Sequence, residues 1–315
     1  MSHISANQQR LISQIVLTSH TYAFCYFSVL AAASSVICYC SGNVIQPLID
    51  VALIMTAFVV FRLGASTVSK LKAYRFEQGK TVGSILNETM LEISAALSVK
   101  PPLLYIFPHE DRNALCTLTA GFRWIVLLSE ALEKADAPER RSVLSHELGH
   151  LKCLHALWIF IGISLIVMLI MSTYVLCEVK GLELYAKALI TNATMAIGVL
   201  SMARFARQHE FQADAIATVL NGKEGLINNL LERYIPMLAA IGHDIRPELS
   251  RESLAQHFSN SPNRLELVLA MVADDRNAIG FFAKLDALQN ALLDPHPPLV
   301  QRVKNMERFE TLATA

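Results

Sequence analysis

The feature that most limits how this chain can fold is a series of long apolar runs. Residues 11–49 contain no Asp, Glu, Lys or Arg, and within them residues 21–40 form an apolar run of membrane-spanning length. Residues 156–177 form another run without a charged side chain, and weaker runs cover residues 48–63 and 184–202. Because a helix needs about 20 apolar residues to cross a bilayer core, the pattern predicts four transmembrane helices.

The composition favours a large lipid-facing surface. Hydrophobic residues make up 53% of the chain and charged residues 17%, and the mean hydropathy is +0.39, whereas soluble domains carry about 25% charged residues. The 27 basic and 27 acidic residues balance, so the chain lacks the positive field of a nucleic-acid-binding protein. Two alternatives stay open: the run at 21–40 is also compatible with a cleaved signal peptide, and the run at 184–202, which contains Lys187, with a buried soluble helix.

Basic residues are distributed unevenly around the four runs. Those that follow the second and fourth runs are Arg62, Lys70, Lys72, Arg75, Lys80, Arg204 and Arg207. The positive-inside rule therefore predicts two hairpins that dip into the membrane from the cytoplasm. An even number of spans then places residues 65–153 and 204–315 on the same side of the membrane.

The segments outside the runs predict a small domain of mixed structure. The β-rich segments expected to form strands are 103–107, 124–128 and 113–119. A helix is predicted over residues 70–98, and another begins at Ala137, where Pro138 and Glu139 suit a helix start. The predicted fold class is a mainly α membrane protein with an α+β soluble domain built around a small β-sheet.

The strongest chemical signal is the H-E-x-x-H motif of His146, Glu147 and His150. Histidines four residues apart on a helix project from one face and can share a metal. A catalytic zinc takes three protein ligands and leaves one position for water, and Glu147 is placed to act as the general base on that water. The motif is short, so an ordinary surface or core location of these residues remains an alternative.

The third zinc ligand can come from two places. One class of zinc peptidase supplies a His six residues after the second one, but that position is Ala156 here. His155 lies five residues after His150, roughly 140° further round a continuous helix, so it is predicted to be a structural residue at the membrane interface. The other class supplies a Glu from a second helix, for which Glu210 and Asp214 are the candidates.

Glu210 and Asp214 are four residues apart, so they share one helical face. One of them can ligate zinc while the other orients a histidine ligand. The alternative is a solvated face on which Arg207 forms an ion pair with Glu210. His209 points elsewhere on the helix and is predicted to have no role in the site.

These motifs, together with the two apolar runs between them and the R-x-x-E-x-x-A-D segment at 207–214, resemble the HtpX-type membrane zinc endopeptidases, which are relatives of the CAAX prenyl proteases. The resemblance implies a gluzincin metalloprotease domain with one Zn2+ per chain. It implies His146, His150 and Glu210 as zinc ligands and Asp214 as a partner of a ligand. Arg207, from the same segment, is expected to support the ligands beside Asp214.

Two further segments resemble that family. Asn113-Ala114 is similar to an N-A segment that precedes the edge strand and implies a role in holding the substrate backbone; the alternative for Asn113 is a turn residue. Residues 296–302 are similar to an H-P-P-x-x-x-R segment, which implies that His296 stabilises the oxyanion of the tetrahedral intermediate. The family has Ser-Thr before that His, whereas this chain has Asp294-Pro295, so the full set of donors to the oxyanion stays open.

The resulting expectation is a zinc-dependent endopeptidase that cuts membrane or misfolded proteins at the cytoplasmic face of a bacterial inner membrane, in protein quality control. Its partners are polypeptide substrates and the lipid bilayer, without nucleic acid. The expected division is a hairpin at 1–64, a first protease segment at 65–153, a second hairpin at 154–203 and a second protease segment at 204–315. The alternatives are a CAAX-type processing protease and a non-catalytic or signalling membrane protein.

Overall fold

The computed structural model describes residues 4–42, 84–107, 114–118, 124–245, 250–275 and 296–314, and it is mostly helical with one small mixed sheet. The helices are α1 (Ala6–Ser41), α2 (Ser84–Ala96), α3 (Glu130–Glu133), α4 (Ala137–Lys152), α5 (His155–Val179), α6 (Leu184–Asn221), α7 (Glu224–Ile245), α8 (Arg251–Asn260), α9 (Arg264–Asp275) and α10 (Leu299–Thr314). The strands are β1 (Leu103–Phe107), β2 (Ala114–Leu118) and β3 (Trp124–Ser129).

Three of the described helices, α1, α5 and α6, are long and apolar enough to cross a membrane by length and composition. They contain the predicted spans at 21–40, 156–177 and 184–202. The predicted span at 48–63 lies outside the described residues, as do the basic residues between 62 and 80, so the count of four spans is not confirmed. The run at 184–202 does not stand alone, because α6 continues for 19 residues beyond Met202.

The three apolar helices pack side by side. Contacts of Ser19 with His155 and of Cys38 with Ser172 show that α1 and α5 run in the same direction. Helix α6 returns between them, and Ser201 on it contacts Tyr26 of α1 at 2.7 Å between the hydroxyl oxygens. Many apolar side chains of this bundle point outward, as a lipid-facing surface requires; they include Val29, Val36, Leu189 and Ile197.

The sheet has the order β1-β3-β2, with β1 parallel and β2 antiparallel to β3. The predicted strands are confirmed, and β3 is the buried central strand because both of its neighbours pair with it. Strand β2 is an edge of this sheet and faces helix α4. Of the helix predicted over 70–98, the described part is α2, which packs into the same core as the first turns of α1.

Helix α4 carries the H-E-x-x-H motif through the centre of the soluble domain. It begins where predicted: Asp136 caps it by accepting a hydrogen bond from the Glu139 N–H at 2.8 Å. It ends at Lys152, and Leu154 adopts a left-handed conformation with φ of 55° before α5 begins. The chain therefore changes direction between the motif and the membrane helix, instead of continuing as one helix.

The two motif helices, α4 and α6, approach each other closely at Gly149. A Cβ atom on Gly149 would lie 3.2 Å from the Cα of Ala213, so a side chain there would force the helices apart. Helix α10 then packs on α6, where Asn305 donates a hydrogen bond to the Phe211 carbonyl at 2.9 Å. The result is that residues 146–150, 210–214 and 296–302 meet at one place.

Candidate metal centre

His146 and His150 direct the same ring nitrogen to a common point. Their Nε2 atoms are 3.1 Å apart, and the two rings meet edge to face with centroids 4.7 Å apart. His146 is buried and His150 is partly exposed at the floor of a cavity of about 370 Å3. Two ring nitrogens at this separation can ligate one metal ion.

Glu210 completes the group from helix α6. Its Oε1 lies 3.4 Å from His150 Nε2 and its Oε2 lies 3.7 Å from His146 Nε2. The three ligand atoms all fall within 4.8 Å of one another. With bonds of 2.0–2.1 Å, the ligand atoms of a tetrahedral zinc are about 3.3 Å apart, so these two imidazoles and one carboxylate fit zinc in spacing and in chemistry.

Asp214 lies behind His146 and away from the cavity. Its Oδ1 is 2.9 Å from His146 Nδ1. The guanidinium of Arg302 donates two hydrogen bonds to the same carboxylate, from Nε at 2.7 Å and from Nη2 at 2.6 Å, and both side chains are buried. Burial alone would raise the pKa of Asp214, but Arg302, with a contribution from His146, lowers it. The ionised carboxylate is therefore available to orient the His146 ring.

Glu147 faces the edge strand. Its Oε2 accepts a hydrogen bond from the backbone N–H of Cys116 in β2 at 2.6 Å. Burial, and then the charge of Glu147, raise the pKa of the Cys116 thiol well above its usual range, so this thiol stays protonated. The geometry puts Glu147 between the ligand histidines and the edge strand β2.

Of the remaining predicted residues, His296 lines the cavity beside the ligand group. His296 Nδ1 is 3.3 Å from Glu210 Oε2, and the His296 side chain is 53% exposed. Ala114 also lines the cavity, whereas Asn113 lies outside the described residues. Arg207 is on the turn of α6 before Glu210 and does not line the cavity, so its supporting role stays a prediction.

Two residues at the site were not given their roles from the sequence. Arg302 was visible as the last residue of the H-P-P-x-x-x-R segment, but nothing in that pattern shows that Asp214 is its partner. His155 was predicted to be a structural residue at the membrane interface, on another face of a continuous helix. It is the first residue of the apolar helix α5, but the predicted face is wrong because the helix is broken at Leu154. The turn at Leu154 buries His155 instead, with its Nδ1 2.7 Å from Nδ1 of His150.

The model of one peptidase family, described as "Peptidase family M48", matches residues 78–310 of this chain. The chain belongs to peptidase family M48. Membership implies a bound metal, typically zinc, and the group of His146, His150 and Glu210 could hold it. The family and the three apolar helices together indicate a membrane protein with a metallopeptidase domain.

Individual relatives of this M48 chain are distant. The plastoglobule-localized metallopeptidase 48 of Arabidopsis thaliana is 34% identical over 77 residues, which are 24% of this chain and 22% of that protein. Protease HtpX of Hahella chejuensis is 29% identical over 46% of this chain and 55% of its own length, so the chain spans about half or less of these two relatives. Protease HtpX of Pseudomonas putida is 25% identical over 71% of this chain and 70% of its own length. The crystal structure of S. mikatae Ste24p is 14% identical, with a TM-score of 0.48, over 92% of this chain and 66% of that one.

Proposed function

We propose that this chain is a zinc-dependent membrane endopeptidase that hydrolyses peptide bonds of membrane or misfolded proteins at the cytoplasmic face, in protein quality control. The observation that carries the proposal is the convergence of His146 Nε2, His150 Nε2 and the Glu210 carboxylate on one point. Glu147, on the same helix as the two histidines, faces the same cavity. Membership of family M48 and the HtpX relatives support the same chemistry.

The side chains around this point have complementary roles in peptide hydrolysis. When bound, zinc supplies a Lewis acid that polarises the scissile carbonyl and acidifies a water. Glu147 accepts the proton of the attacking water and passes it to the leaving amine. Asp214, held by Arg302, keeps His146 in its ligating orientation. His296 stands at the rim, where a donor can stabilise negative charge on the carbonyl oxygen.

The position of the centre relative to the apolar helices supports a substrate close to the membrane. Helix α5 begins five residues after His150, and its first residue, His155, contacts the His150 ring, so the centre lies close to the membrane surface that α5 would enter. A polypeptide reaching β2 from that surface would present its membrane-proximal segment to Glu147. Membrane proteins are therefore the proposed substrates, cut near their cytoplasmic ends.

The chain path supports an even number of spans. Helices α1 and α5 both lead away from the site, and α6 returns to it. Helix α2, which follows residue 83, packs with the site-end turns of α1 through Leu86, Met90, Ile12 and Ile15. If α1 crosses the membrane, the chain between Gly42 and Ser84 has to recross it, as the predicted span at 48–63 would do. Reporters fused after Leu63 and after Gly181 should then report opposite sides, and a shared side would contradict this topology.

Proteolysis by the detergent-purified, full-length protein tests the chemistry. With zinc present, the parent should cleave casein or an unfolded membrane protein, and Glu147→Gln should reduce the rate by about 10²–10⁴-fold because the general base is lost. The exposed Glu252→Gln on α8 is a matched control that should cut at the parent rate. Zinc content should fall in Glu210→Ala and stay at one ion per chain in Glu147→Gln. Equal rates for Glu147→Gln and the parent would rule out the proposed mechanism.

A further inference from the structure

His155 is buried beside a proposed metal ligand without being one itself. It is 2% exposed, although it is the first residue of an apolar helix. Its Nδ1 lies 2.7 Å from Nδ1 of His150, the nitrogen on the opposite side of that ring from the ligand point. The left-handed Leu154 between α4 and α5 is what brings the His155 ring round to this position.

If His150 ligates the metal through Nε2, the hydrogen bonds around His155 define a single tautomer of the His155 ring. His150 Nε2 faces His146 and Glu210, so as a metal ligand it must be unprotonated, and its Nδ1 carries the hydrogen. His155 Nδ1 then accepts that hydrogen. Its own Nε2 consequently carries a hydrogen, which it donates to Gln212 Oε1 at 3.1 Å, with Ser19 Oγ as a further neighbour at 3.5 Å.

One face of the His155 ring is packed against another ring. His209 stacks on it with ring centroids 4.0 Å apart and planes only 3° from parallel. Phe205 packs its ring edge-on against His209, with centroids 4.1 Å apart. His209 therefore faces the site and packs against His155, whereas it was predicted to point elsewhere on α6. With two hydrogen bonds in its plane and a ring against its face, His155 has one orientation.

We propose that His155 is a positioning residue for the metal ligand His150: it accepts the His150 Nδ1 hydrogen and so holds His150 Nε2 toward the metal. The inference rests on the proposed metal centre. It gives the two ligand histidines different supports, since His146 is held by the Asp214 carboxylate and His150 by an imidazole that Gln212 orients. Loss of such a partner lowers metal affinity about 10–100-fold in zinc proteins.

Two substitutions at one position separate hydrogen bonding from packing. His155→Phe keeps a ring for His209 to stack on but has no acceptor for His150. His155→Asn loses the ring but places a carbonyl oxygen near the site of the lost Nδ1. Zinc affinity of the full-length protein in detergent, measured by competition with a chelator, should fall about 10–100-fold in His155→Phe and be restored to within a few-fold in His155→Asn. The exposed His257→Phe on α8 is the matched control and should bind zinc like the parent.

The visible absorption of the cobalt-loaded protein gives a second measure that needs no activity. The ligand-field bands should shift in His155→Phe and return toward the parent in His155→Asn, because the orientation of His150 changes and is then recovered. If His155→Phe fails to fold, Gln212→Met removes the acceptor of the His155 Nε2 hydrogen and should weaken zinc binding in the same direction.

The outcomes distinguish this inference from the proposed function. A parent protein that does not bind one zinc per chain would overturn the metal centre and the inference with it. A parent that binds zinc, beside a His155→Phe variant with the same affinity and cobalt spectrum, would overturn only the role of His155. Equal losses in the Phe and Asn variants would show that an acceptor at this position does not restore zinc binding, and would also overturn that role.

Discussion

The two halves of helix α6 differ in which side chains they expose and which they bury. In the first half the exposed residues include large apolar ones: Leu184, Tyr185, Leu189, Met195 and Ile197. In the second half, from Phe205 onward, the buried residues include polar and charged ones: His209, Gln212, Asp214 and Thr218. The helix is continuous over 38 residues, or about 57 Å, so a single rigid element passes from one environment to the other.

This contrast shows that the relation between the polarity of a side chain and its burial is reversed between the two halves of one helix. A row of large apolar side chains that points outward from a long apolar helix is typical of a lipid-facing surface, which is the setting that we propose for the first half. A buried charge is stable only where it finds a partner, and in the second half the partners of Asp214 are Arg302 and His146. The apolar half and the residues of the metal site that lie on α6 are therefore parts of one continuous helix.

The largest effect is expected from removing the charge at the centre of the polar half. Asp214→Ala leaves the Arg302 guanidinium buried without its carboxylate, which should reduce the free energy of unfolding by about 3–5 kcal/mol. Chemical denaturation in detergent measures the loss. The double variant Asp214→Ala with Arg302→Met removes both charges and should be clearly more stable than Asp214→Ala alone; if it is not, the loss comes from packing.

The stability that the Asp214–Arg302 pair contributes should depend on pH. The pKa of Asp214 is lowered in the folded state, chiefly by Arg302 against the opposing effect of burial. Its contribution to stability should therefore be fully present above the unfolded-state pKa of about 3.9 and be lost as the pH falls further, through the folded-state value. In the Asp214→Ala, Arg302→Met variant that part of the acid sensitivity should disappear, as measured by unfolding between neutral and acid pH.

The apolar half can be tested with a pair of methionines that have the same exposure. Met195 on α6 and Met237 on α7 are both 47% exposed. Met195→Lys places a charge against lipid and should cost about 2.5–3.5 kcal/mol of membrane insertion. Met237→Lys places the same charge in the soluble domain and should change stability by less than about 0.5 kcal/mol. The fraction of chain that resists carbonate extraction measures insertion, and equal fractions for the two variants would mean that this half of α6 does not face lipid.

Most of the architecture could be predicted from the sequence because the strongest sequence patterns are local. Runs of apolar residues marked three helices where predicted, and short β-rich segments marked the three strands. The spacing of His146, Glu147 and His150 within one helix was enough to pick out the motif, whereas the choice of Glu210 over Asp214 came from the family resemblance. The second predicted span and Asn113 lie outside the described residues and stay predictions.

What the sequence did not show depends on contacts between distant segments. Arg302 finds Asp214 across 88 residues, and no local pattern encodes that pairing. The role of His155 depends on a single left-handed residue, Leu154. Leucine is not a residue type that signals such a turn, so the periodicity of a continuous helix gave the wrong face.

The smallest effect is expected from the hydrogen bond between the membrane helices. Ser201 already donates to the Gly198 carbonyl at 2.8 Å, so it is the Tyr26 hydroxyl that donates to Ser201 Oγ. Tyr26→Phe then removes a donor and leaves Ser201 bonded within its own helix, for a loss of about 0.6 kcal/mol. Ser201→Ala should cost more, because the Tyr26 hydroxyl loses its acceptor within the apolar bundle.

A double-mutant cycle on unfolding in detergent measures this coupling, and Tyr39→Phe, at a side chain of α1 that is 88% exposed, is the control. The expected coupling is several-fold smaller than the cost of breaking the Asp214–Arg302 pair, although the Tyr26–Ser201 bond is equally short. In the polar half a hydrogen bond holds a buried charge, whereas in the apolar half it joins groups that also find partners when the helices separate in detergent or lipid. A coupling as large as the loss in Asp214→Ala would mean that the two halves of α6 are stabilised in the same way.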